Sequence, residues 1–67
     1  MKVDNASKKN EQKFRDLTFS MDIPKDRREP TDTNLRWFLR NGFVTNQSHK
    51  NFQDAVSLAM RILNERQ

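Results

Sequence analysis

The sequence predicts a mainly α-helical chain with one short β-strand, and three patterns predict it. Leu17, Phe19, Met21 and Ile23 alternate with Thr18, Ser20 and Asp22, which is the period of an extended segment with one apolar face. Leu35, Phe38 and Leu39 repeat at helical spacing. Phe52, Ala55, Val56, Ala59, Ile62 and Leu63 form a longer stripe of the same period, widened by Leu58. Little else reads as a strand, and backbone groups buried without partners cost about 1–3 kcal/mol each. The expected partner of the strand is the same strand of a second copy, giving an intertwined homodimer.

Size and composition bound the rest. A chain of 67 residues, 33% of them hydrophobic, holds one small domain, and at this size a monomeric core is marginal without staples or self-association. There is no cysteine, which excludes disulfides, thiolate chemistry and Cys-containing zinc sites and fits a reducing compartment. No apolar run approaches the ~20 residues that cross a bilayer. A cytoplasmic, soluble protein is expected, with no membrane partner.

Residues 1–15 carry Lys2, Lys8, Lys9, Lys13 and Arg15 against Asp4 and Glu11. Before Phe14 the segment has only Met1, Val3 and Ala6 to bury, so it is expected to be a disordered basic arm, followed by a folded domain over residues 16–67. Arms of this kind grip phosphates, which makes Lys8, Lys9, Lys13 and Arg15 candidate contacts; a solubilising tail is the plainer role. A helix through Phe14, Leu17 and Met21 is the competing assignment for the strand region, but it leaves Phe19 and Ile23 on the wrong side.

Pro24 stops regular pairing after Ile23, and Lys25–Glu29 fits one helical turn, capped by Asp22 and ended by Pro30. The run has no apolar residue and reads as a solvated link, in which Arg27 and Arg28 could also touch phosphate. Asp32 or Thr33 caps the next helix, Asp32 supports Arg36 four residues on, and Gly42 is placed to end it in a left-handed turn that folds Phe43 back on Phe38. Trp37 lies off the apolar stripe, where it either widens the buried face or anchors an interface. His49 reads as a surface residue near the start of the last helix, which Asn51 can cap. Neither His49 nor any Ser or acid shows a spacing that identifies a catalytic pair, so no enzyme activity, metal or cofactor is expected.

A basic arm, an alternating strand, a helix closed by glycine and a longer amphipathic helix together resemble the ribbon-helix-helix family of small DNA-binding proteins. The resemblance covers roughly Arg15 to Gln67 and is carried by Asp16-Leu17-Thr18-Phe19-Ser20-Met21-Asp22 and by the distance from Ile23 to Gly42. It implies that Thr18, Ser20 and Asp22 face DNA bases in the major groove. If the second helix starts at Asn46 or Ser48, it implies that Thr45, Asn46 and Ser48 hold phosphates.

The expected function is a homodimeric DNA-binding protein, acting as a small transcriptional regulator such as a repressor, or as an accessory factor of a mobile element. The alternative class is a protein-interaction module (an antitoxin, an inhibitor or an adaptor), suggested by Asp16 and Asp22 on the supposed reading face and by Trp37.

Overall fold

The structure, a computed structural model, describes the backbone of residues 2–66 and the side chains of residues 8–66. It contains helix α1 (Lys2–Thr18), a 3-10 turn (Lys25–Arg27), helix α2 (Asp32–Asn46) and helix α3 (Phe52–Glu65). The described residues contain no β-strand, so the ribbon-helix-helix architecture is corrected to a three-helix one.

The amide of Asn10 donates to the Glu65 carboxylate at 3.2 Å, and that of Asn51 reaches the Leu17 carbonyl at 3.4 Å, which sets α1 antiparallel to α3. A short link over residues 47–51 makes α2 antiparallel to α3 as well. The chain from Phe19 to Thr31 must therefore travel back along the molecule. Its apolar residues Met21 and Ile23 enter the core beside Phe14, Leu35, Phe38 and Ile62, while Ala55 and Ala59 let the other helices approach α3 closely. Phe38 is the centre of this core, packed edge-on against Phe14 at 5.4 Å and tilted against Phe52 at 5.7 Å.

The expected strand is divided between a helix and an irregular return. Ala6, Lys8, Lys9, Glu11, Gln12, Lys13 and Arg15 favour helix, and α1 keeps its register until Thr18. Phe14 and Thr18 are buried along the helix, with Leu17 half-buried against the same core. Thr18 is legible as a core residue only in three dimensions, because its hydroxyl donates to the Phe14 carbonyl at 2.8 Å. Phe19, assigned by alternation to the buried face, is 81% exposed. Residues 2–15, expected to belong to a disordered arm, lie in α1; Met1 is outside the described residues. Burial of Phe14 and the bonds of Asn10 and Glu11 to the end of α3 hold residues 10–14 in place.

Side chains of the same chain meet the backbone groups around Asp22 and the end of α1. The Asn46 side chain accepts from the Asp22 N–H at 2.8 Å and donates to the Asp22 carbonyl at 3.1 Å, the two bonds a neighbouring strand would make. Arg28 donates to the carbonyls of Thr18 at 2.9 Å, Phe19 at 3.3 Å and Met21 at 2.7 Å, satisfying the end of α1 and the turn beyond it. The inference of a two-fold ribbon is therefore withdrawn with the strand.

Other boundaries shift for identifiable reasons. Thr31, not Asp32 or Thr33, caps α2, its hydroxyl accepting from the Asn34 N–H at 3.2 Å. Gly42 does not end α2: no described residue has positive φ, and the helix runs on to Asn46, leaving Phe43 48% exposed. The glycine serves packing instead, since a Cβ there would lie 2.7 Å from a ring carbon of Phe38.

Arg66 braces the far end. Its guanidinium donates to Asp32 and Glu11 at 2.6 Å each and to the Pro30 carbonyl at 2.9 Å. Burial disfavours its charge, but hydrogen bonds to Asp32 and Glu11 and their negative charge outweigh that and raise its pKa above the ordinary guanidinium value. A raised cation pKa stabilises the fold below the ordinary value for as long as the two carboxylates keep their charge, so this brace persists throughout the neutral range.

Two substitutions test this account. Gly42→Ala gains about 1 kcal/mol of helix propensity but crowds a ring that Phe14 and Phe52 prevent from moving, so urea unfolding should show a net loss of about 1 kcal/mol; a more stable variant would refute the packing role. Asn46→Ala leaves the Asp22 N–H without its partner and should cost about 1–3 kcal/mol in the same measurement.

Candidate nucleic-acid interface

The exposed side of α2 is built from residues three and four apart: Thr33, Arg36, Trp37, Arg40, Asn41 and Val44. Trp37 is half-buried, packed against the core on one side, and Arg27 from the 3-10 turn lies 5.7 Å from the centre of its ring. That approach depends on how the turn is held. Arg28 is drawn inward by the carbonyls at the end of α1, and the Asn34 amide donates to the Glu29 carbonyl at 3.0 Å from the other side. The neighbouring side chain, Arg27, is thereby directed across α2 onto the indole.

The result is a groove of about 320 Å³ lined by Arg27, Thr33, Arg36, Trp37, Arg40 and Asn41, with no acid in its wall. Arg27, Arg36 and Arg40 have no ion-pair partner among the described residues. Asp32, expected to support Arg36, is held by Arg66 instead. A second groove of about 300 Å³ lies on the other side of Trp37, lined by Asp22, Pro24, Trp37, Asn41, Val44 and Thr45. Trp37 and Asn41 are common to both. Arginines beside an aromatic face suit phosphates and planar bases, respectively.

The residues singled out from sequence fall elsewhere or change role. Thr18 is 1% exposed with its hydroxyl bonded inside α1, so it cannot face a base, and Ser20 is exposed beside His49. Asp22 is exposed and lines the second groove. Lys8, Lys9 and Lys13 are exposed on α1; Arg15 is exposed too but pairs with Glu29 at 2.9 Å. Lys13 shares a cleft of about 290 Å³ with Arg61 and Asp54, which has no aromatic wall. Thr45 and Asn46 belong to the last turn of α2 and Ser48 to the following turn, so the expected phosphate-holding helix start does not form there; α3 begins at Phe52. Asn46 is 4% exposed and committed to Asp22 and Gly42.

Ser20 and His49 come together although 29 positions apart, with Oγ 3.1 Å from Nε2. The Asn51 N–H donates to Nδ1 at 3.1 Å, so the neutral ring carries its hydrogen on Nε2 and donates to Ser20. That tautomer is the wrong one for removing a proton from the serine. Among the described residues no group of three or more His, Cys, Asp or Glu is placed to hold a metal. No described helix is long and apolar enough to cross a membrane.

Arg36, Arg40 and Asn41 were not singled out from sequence as contacts. A usable signal was present: from Thr33 to Gln53 there is no Asp or Glu. Comparison with protein-family models, curated proteins and solved structures finds no match in any of the three.

The adjacent arginines should separate cleanly. Arg28→Ala removes charged hydrogen bonds to three carbonyls and should cost about 1.5–3 kcal/mol, whereas Arg27→Ala should cost only about 0.5–1 kcal/mol while shifting the emission of Trp37. Thermal unfolding followed by fluorescence checks both; equal losses would contradict the division of roles.

Proposed function

We propose that this chain binds nucleic acid through the exposed face of α2 and the 3-10 turn. The carrying observation is three arginines without carboxylate partners gathered around one indole, a combination of phosphate-neutralising charge and stacking surface. The net charge of +4 favours approach to a polyanion, and the exposed lysines of α1 add sequence-independent attraction. DNA remains the partner favoured by the sequence reading, with regulation of transcription as the biological setting. Binding by this face requires neither a ribbon nor a second copy.

Exposed Phe19 and Met60, at 81% and 55%, favour a second reading as a module that docks on a protein. The arginines of α2 discriminate between the two. Fluorescence anisotropy with a labelled DNA oligomer should show affinity falling steeply from ~50 to ~200 mM salt, and Arg36→Ala and Arg40→Ala should each reduce the slope of log K against log salt by about 0.7–0.9. DNA binding that is absent, or indifferent to both substitutions, would refute the nucleic-acid role of this face.

A further inference from the structure

The two grooves on either side of Trp37 differ in chemistry in a way that matches the two halves of a nucleotide. One wall carries Arg27, Arg36 and Arg40; the other carries Pro24 and Val44, with the carboxylate-bearing Asp22 and the hydroxyl of Thr45 at its rim. Val44 is 69% exposed on a helix whose buried stripe is elsewhere, so core packing does not account for an apolar residue at that position. Asn41 spans the boundary, its amide nitrogen donating to the Trp37 carbonyl at 3.2 Å. Its side-chain oxygen has no hydrogen-bond partner among the described residues.

We propose that this face holds an unpaired nucleotide of a single strand, with phosphate in the arginine groove and the base lodged between Pro24, Trp37 and Val44. The assignment rests on the nucleic-acid reading above and narrows it. A base within a duplex has both faces stacked on its neighbours and cannot enter such a groove, whereas a base of a single strand offers its face to an aromatic ring. The thymine, guanine, cytosine and adenine edges are not equivalent here. Asp22 presents a carboxylate, which accepts a hydrogen bond from an exocyclic amine such as that of cytosine. The Thr45 hydroxyl donates to the Asp22 carbonyl at 3.3 Å and ties that rim to α2. The same carboxylate repels phosphate, so it orients the nucleotide with its phosphate toward the arginines.

The test compares an oligodeoxycytidine, an abasic oligomer of the same length and a duplex, each titrated into the full chain at neutral pH and low salt. Trp37 is the only tryptophan and reports occupancy directly. The expected result is binding of the oligodeoxycytidine about tenfold or more tighter than the abasic oligomer, tighter than the duplex, and accompanied by quenching of the indole. Val44→Gln, at an exposed position, should bring the oligodeoxycytidine down to the affinity of the abasic oligomer without changing the salt slope. Equal affinity for the base-bearing and abasic oligomers, or preference for the duplex, would overturn the nucleotide compartment while leaving the phosphate-binding face intact. Failure of all three ligands to bind would overturn both.

Discussion

The fold depends on how the backbone is satisfied between the end of α1 and the start of α2. Two helices that both run antiparallel to a third oblige the chain to return along the molecule, through a stretch whose own turns satisfy only part of its backbone. Arg28 and Asn46 resolve this with side chains, one gathering three carbonyls at the end of α1 and the other pairing with both backbone groups of Asp22. Leaving those partly buried groups unmet would cost more than a typical surface contact contributes. Once they are met, Met21 and Ile23 can enter the core, and the 3-10 turn is fixed against α2.

The same economy governs charge. Arg66 engages Glu11 and Asp32, and Arg15 engages Glu29, so several of the acids are spent in bracing helices together. The exposed side of α2 is left with cations and an indole. A modest net charge thereby becomes a locally strong one, because opposite charges are consumed at the end of the bundle where Arg66 lies.

How much of this could be read from the residues depends on where the determining interactions lie. The stripe from Phe52 to Leu63 is local, and α3 follows it closely, with Ala55, Leu58, Ala59 and Ile62 buried. The second helix was legible in place but not in extent, because Gly42 was interpreted by backbone freedom when its role is to make room for Phe38. The alternation from Leu17 to Ile23 misled because it arises from two different structures in succession, a helix end and an irregular return. Thr18 and Asn46 are polar residues in buried positions, and their partners can be identified only once the chain is folded. The groove around Trp37 was half legible: Arg27 and Trp37 stood out as residues, while their meeting depends on Arg28 drawing the turn inward.

The mooring of the 3-10 turn to α1 has a consequence for the order of assembly. Helices α2 and α3 are neighbours in sequence and close a short loop, whereas α1 meets the end of α3 across 55 positions between Glu11 and Arg66. Detachment of α1 would remove the carbonyls that hold Arg28 and slacken the turn, while the helical hairpin of α2 and α3 retains its own contacts. Arg27 sits over the indole only when all three helices are docked. Any ligand that requires that arrangement binds only the docked population, and by mass action clamps the first helix onto the other two.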